Sequence, residues 1–168
     1  SDLHGRTRAA RYTQQADWTA IAEVAAALPV PTIGNGDLLF EPEIAQARRT
    51  SGCTALMTAR GALIKPWIFR EADQGDWDPS PEDRVAVYRR YVALGKAHWG
   101  DDALGLGRLR TFLLWHLGFW CRYAPRRADG SYPSMQQRES WTPRSPLEAL
   151  LARSDEATQA FLADRLLA

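Results

Sequence analysis

The chain has 168 residues, 45% of them hydrophobic, with 21 basic and 20 acidic side chains and a net charge of +1. That suffices for one ordinary domain or two small ones with a real core, and is too short for a complete (β/α)8 barrel, which takes about 250 residues. Cys53 and Cys121 stand far apart, with no CxxC pair and no His/Cys cluster, which excludes a recognisable zinc site or disulfide framework and points to a reducing, intracellular setting; no apolar run approaches the roughly 18 residues of a membrane-spanning helix.

The first residue is Ser1 rather than Met, and the charged cluster His4-Gly5-Arg6-Thr7-Arg8 follows almost at once; both read as a truncated sequence. Residues 1–8 read as the end of a strand with its following loop. Asp17 is placed to cap a helix over 18–28 that buries Ile21, Val24, Ala25 and Leu28 and stops at Pro29. Val30 to Ile33 reads as a short buried strand. A helix from Pro42 to Thr50 follows, closed by Gly52. Cys53 to Thr58 is the next buried strand. A short helix spans Ala62 to Glu71, with Pro66 tolerated near its start or through a break. Strands alternating with helices over the first 74 residues imply a parallel sheet with helical crossovers.

The composition then changes. Residues 71–83 hold six acids and no base, whereas residues 84–144 hold eleven bases and four acids. Residues 72–80 read as a linker. Ser80-Pro81-Glu82-Asp83 opens a helix to Trp99. Residues 100–107 read as a loop, and 108–123 as a central helix apolar nearly all round. On it Leu109, Phe112, Leu113, His116, Trp120 and Tyr123 share a face, with Trp115 and Phe119 off it. Residues 124–143 are polar, basic and loop-like. Ser145 to Glu148 reads as a capping box, and Ser154 as the cap of a last helix ending near Leu167.

Three short stretches carry possible chemistry. Thr32-Ile33-Gly34-Asn35-Gly36-Asp37 and Leu56-Met57-Thr58-Ala59-Arg60-Gly61 are apolar runs that end in glycine-bearing turns and lead into helices. Adjacent turns of that kind leave backbone N–H groups bare and make a phosphate cradle, as after the last two strands of a (β/α)8 barrel. Asn-Gly between apolar runs is also a hairpin signal, but helix rather than strand follows it here. Asp37 is placed to fix the loop or bind a hydroxyl, and Arg60 to add charge. His4 and Arg6 would reach the same end of the sheet, with Arg11 and Tyr12 extending the basic cluster. The cysteines and His116 read as packing residues, and the aromatic helix as core rather than a base-stacking platform.

LHGRTR and RYTQQADW within 3–18, PTIGNGD at 31–37 and MTARGALIKPWIF at 57–69 resemble the flavin-dependent tRNA-dihydrouridine synthases. HWGDD at 98–102 and RTFLLWHLGFWCRY at 110–123 look most like the eukaryotic branch acting on uridine 47. The resemblance covers essentially the whole chain, more loosely over 126–168. It implies an α/β plus all-α architecture: the C-terminal part of an FMN-binding (β/α)8 TIM barrel, from the end of strand six to helix eight, over residues 1–74, then a helical tRNA-binding domain over 80–168. It implies FMN as cofactor and NADPH as reductant. His4 and Arg6 would border the flavin and the uridine, while Asn35, Gly36, Asp37, Ala59, Arg60 and Gly61 would hold the FMN phosphate.

For the tRNA backbone, charge and expected exposure single out Arg108, Arg110, Arg122, Arg126 and Arg127. The family's catalytic cysteine and a flavin-contacting lysine would both precede residue 1. The 168-residue chain by itself is therefore expected to be inactive. The setting implied is cytoplasmic or nuclear, with tRNA as partner and neither membrane nor metal. Two other readings stay open: a truncated, non-catalytic tRNA-binding module, and an FMN barrel that reduces free pyrimidines, against which the basic helical region argues.

Overall fold

The computed structural model describes residues 1–10, 13–133 and 140–168; Arg11 and Tyr12 of the basic cluster lie outside the described residues. The chain forms two compact units. One is Ser1–Trp77 together with Pro125–Glu139, and the other is Asp78–Ala124 together with Ser140–Ala168.

The first unit is built on a parallel sheet. In chain order it contains β1 (Asp2–His4), α1 (Trp18–Ala27), β2 (Ile33–Asn35), α2 (Glu41–Thr50), β3 (Ala55–Met57), α3 (Arg60–Ile64) and α4 (Ile68–Gln74). The three strands lie in the order β1-β2-β3, all parallel. Each neighbouring pair is joined by a helix, as parallel pairing requires. Asp17 caps α1 by accepting from the Ala20 amide at 2.9 Å. Pro42 sits in the first turn of α2, where its missing N–H is no loss, and Gly52 follows that helix with φ 65°. Leu38, Ile44, Ala47 and Ile68 form the core between helices and sheet, with Trp18, Leu56, Ala62 and Ala72 packed against them.

Two boundaries differ from the sequence reading. The second strand, predicted over Val30–Ile33, falls at Ile33–Asn35. Pro29 and Pro31 have no N–H to give a ladder, so pairing begins at Ile33, whose amide donates to Ser1 O at 2.8 Å. Asn35 thereby becomes a strand residue, paired with His4 on one side and Met57 on the other. The helix predicted over 62–71 is broken at Lys65-Pro66 into α3 and α4.

The second unit is helical: α5 (Pro81–Trp99), α6 (Ala103–Trp120), α7 (Pro146–Leu151) and α8 (Glu156–Leu167). Ser80, read from sequence as the cap, accepts from the Asp83 amide at 3.1 Å, and Asp83 returns a bond to the Ser80 amide at 3.0 Å. α6 begins five residues before its predicted start. Asp102 caps it through the Gly105 amide at 2.8 Å, and Gly105 lets its first turn press on the end of α5, since a Cβ there would meet Gly100 O at 2.2 Å. α8 is capped by Asp155, one residue beyond the expected Ser154. Tyr88, Val92, Leu109, Leu113, Leu117, Trp120, Leu151 and Leu162 are buried in this unit. Among the described residues no helix is long and apolar enough to cross a membrane, and no cluster of His, Cys, Asp and Glu could hold a metal ion.

Candidate functional site

The strand order puts three loops side by side at the C-terminal edge of the sheet, and Asp37 ties them together. Its carboxylate forms an ion pair with Arg6 from the loop after β1. It also accepts from the Ala16 amide at 2.8 Å and lies 3.4 Å from Nη2 of Arg60, the first residue of α3 after the β3 loop. Asp37 itself sits at φ 52°, a left-handed conformation that Asp tolerates better than most residues. Below it, Asn35 Nδ2 donates to Met57 O at 2.6 Å and the Gly5 amide donates to Asn35 O at 3.2 Å. One residue from each loop is thus held by a neighbour from another. These contacts fix the spacing of the loops, and such fixing is what preorganises a binding site.

Glycine is required at two points of this edge. Gly36 has φ 143°, and a Cβ on it would stand 2.4 Å from Ala16 Cβ; a Cβ on Gly61 would stand 2.0 Å from Leu38 O. Between them lies a cleft lined by the eight residues singled out from sequence, His4, Arg6, Asn35, Gly36, Asp37, Ala59, Arg60 and Gly61, together with Leu38 and Met57. Its volume is about 60 Å³. Pockets that enclose a whole drug-sized ligand run from about 300 Å³ upward, so this cleft seats one compact group rather than a fused-ring cofactor.

Charge decides which group. Arg6 is almost wholly buried, with 3% of its side chain exposed, and serves Asp37; Arg60 keeps 25% exposed and can turn part of its guanidinium to a ligand. Two arginines, His4 and one carboxylate leave a cationic cleft. The amides of Arg60 and Gly61, first in α3, have no carbonyl one turn back within the helix to bond to. The chemistry is that of an anion site, and a phosphate monoester fits its donors.

Each loop leads into a helix, the first by way of Leu38, Leu39 and Phe40. α2 begins at Glu41, four residues after Asp37, and the two amides just before it are already satisfied. Glu43 Oε2 accepts from the Leu39 amide at 2.7 Å and the Phe40 amide at 3.0 Å. Burial pushes the Glu43 carboxyl above its ordinary range, and those two amides pull against that shift. Sequence reasoning missed Glu43, Ala16 and Trp18, whose Nε1 donates to Gly36 O at 3.0 Å. Asp17 pointed to a helix start there, but nothing in the spacing revealed that the residues beside it brace another loop.

The five arginines proposed for tRNA separate into different environments. Arg108 and Arg122 are exposed on and just after α6. Arg110 is paired with Asp164 of α8 at 2.7 Å. Arg126 and Arg127 belong to the first unit, not the helical one. Arg126 forms an ion pair with Asp76 and a hydrogen bond to Tyr132, and Arg127 donates to Ser131 Oγ and Tyr132 O. They fasten a loop whose Tyr132 ring lies 4.2 Å from Phe40. Cys53 precedes β3, at the opposite end of that strand from Arg60, and Cys121 follows α6; both are half-buried.

A family model for dihydrouridine synthases matches residues 2–103, so the chain belongs to the dihydrouridine synthase family. Among curated relatives, a human protein named tRNA-dihydrouridine(47) synthase-like is 42% identical over 172 residues, covering 98% of this chain and 26% of its own length. A tRNA-dihydrouridine(47) synthase of Coprinopsis cinerea is 38% identical over 166 residues, covering 91% and 25%. That of Candida albicans is 35% identical over 173 residues, covering 91% and 28%. The chain spans about a quarter of the length of these relatives, and the names of all three carry NAD(P)(+).

Proposed function

We propose that this chain is the C-terminal portion of an FMN-dependent tRNA-dihydrouridine synthase, which reduces the C5–C6 double bond of a tRNA uridine with NADPH as the electron source. Position 47 is the target in its relatives' names. In this reading β1, β2 and β3 are the last three strands of a (β/α)8 barrel, and residues 80–168 are the tRNA-binding region. Because tRNA is an intracellular substrate, the setting is cytoplasmic or nuclear. When bound, the flavin supplies the hydride that adds to C6 of the base.

The residues of this chain bind and orient. Arg60, with the amides of Arg60 and Gly61, holds the phosphate. Gly36 and Gly61 let the backbone come close, and Asn35 fixes the floor between β2 and β3. Asp37 keeps the loops in register through Arg6 and the Ala16 amide. His4, exposed at the end of β1, faces the ring side of the cofactor. Such positioning is what the protein contributes when a cofactor carries the chemistry.

One observation carries the reading: a small cationic cleft at the C-terminal edge of three parallel strands, lined by the motif residues themselves. The test is Asp37→Ala in the complete gene product. The variant is expected to lose flavin on dialysis and to leave unmodified tRNA without dihydrouridine. Undiminished flavin absorbance after dialysis would contradict the assignment.

A further inference from the structure

α6 carries an aromatic stripe that its own core does not need. Leu109, Leu113, Leu117 and Trp120 fill the buried side of the helix. Phe112, Trp115 and Phe119 follow one another at spacings of three and four, so they line a single face. Their ring centroids are 5.7 Å and 5.2 Å apart. Tyr91 of α5 stacks on Phe112 at 4.5 Å and extends the stripe onto a second helix. Trp115 is 53% exposed, and Tyr91, Phe112 and Phe119 are half-buried.

The charge on α6 itself has one sign. α6 contains no Asp or Glu along its 18 residues. Arg110, on the side toward α8, is neutralised by Asp164. Arg108 and Arg122 continue the spacing of the stripe at its two ends, both exposed and neither in an ion pair among the described residues. The Arg122 guanidinium stands 5.1 Å over the Phe119 ring. Of the nearest acids, Asp102 is engaged in capping α6, and Asp101 precedes the helix.

We infer that Trp115, buttressed by Phe112 and Phe119, stacks an unpaired base of an RNA whose phosphates meet Arg108 and Arg122. The inference rests on the tRNA reading above and deepens it. Aromatic faces flanked by cations match bases on an anionic backbone. Phe112 is itself stacked on Tyr91 and on His116, while Trp115 is inclined by 54° to Phe112 and 63° to Phe119 and stays 53% exposed. That suits a base splayed out of a loop, as single-stranded RNA offers it, better than the flat end of a duplex.

The test uses the full chain, a fluorescently labelled unstructured oligoribonucleotide and a labelled RNA duplex of equal length, read by anisotropy. The single strand is expected to bind more tightly than the duplex. Trp115→Ala weakens it about ten-fold while the salt dependence stays the same, and Trp115→Phe restores most of the loss. Arg108→Gln with Arg122→Gln flattens the salt dependence instead. Because Trp115 is half exposed, the thermal midpoint of Trp115→Ala should match that of the parent, which separates lost stacking from lost folding. Equal affinity of Trp115→Ala and parent, preference for the duplex, or no RNA binding by the parent overturns the inference. So does a Trp115→Ala variant that loses only self-association, which makes the stripe a protein contact. If the stripe fails while the complete protein still retains flavin and modifies tRNA, the functional reading stands without it; unaltered flavin retention in Asp37→Ala counts against that reading alone.

Discussion

Asp37 holds an unfavourable backbone conformation because three partners reward it: Arg6, Arg60 and the Ala16 amide. The Arg6–Asp37 pair is nearly buried, so deleting either member strands a charge, which costs more than the pair contributes when intact. Gly61 shows the same economy in space. A methyl group there must displace the Leu38 carbonyl, a backbone atom with little room to move. Gly61→Ala is therefore expected to destabilise the protein by about 1–3 kcal/mol. Gly107→Ala, in α6 with open space around it, is expected to stabilise by about 0.5–1 kcal/mol through helix propensity. Urea unfolding of the two variants checks both signs. If they moved stability alike, close packing at Gly61 would not be the cause.

Within the helical unit the pairing of α5 and α6 places His116 against Tyr88, with Nδ1 2.9 Å from the hydroxyl. Burial pushes His116 below its ordinary 6.5 and Tyr88 upward, so both are held neutral. The folded state therefore resists protonating His116 where the unfolded chain accepts a proton. The stability tied to this ring is complete above pH 6.5 and is lost as the pH falls from 6.5 through the lower folded value. Thermal melts of the parent from pH 7.5 down to 5 should show that slope, and His116→Gln should flatten it; an unchanged slope would place the titrating group elsewhere.

The element scale also shows what could be read from the chain. Ser80, Asp17 and Gly52 announced helix ends because caps are local chemistry. The start of α6 was hidden because Gly105 and Gly107 read as loop residues, although Gly105 is there to let two helix ends touch. The aromatic helix read as core because composition cannot tell which side of a helix meets its neighbours. Trp115 fell outside the expected buried face, yet its exposure beside Tyr91 depends on how α5 lies along α6. Six of the eight residues expected at the cleft came from the two glycine turns, which after adjacent parallel strands lie at one sheet edge, and His4 and Arg6 came from the family resemblance. Their bracing through Ala16 and Glu43 was not legible, because it depends on contacts between loops.

At the scale of the molecule, the shift in composition across residues 72–80 reads as a linker, and the two compact units divide there at Trp77 and Asp78. The return of the described residues 125–133 to the first unit left no such mark, because Arg126, Arg127 and Tyr132 find Asp76 and Phe40 only in three dimensions. Two of the arginines expected to meet tRNA thus hold a loop in place. The remaining exposed positive charge on α6 lies along the aromatic stripe. The three strand-end loops form the proposed seat for a phosphate. Titrating the complete protein with FMN and with riboflavin, which lacks that group, measures the seat directly. FMN is expected to bind at least about ten-fold more tightly, with Arg60→Ala removing most of the difference and leaving riboflavin affinity unchanged. Equal affinity for the two flavins, or a difference that survives Arg60→Ala, would contradict that assignment.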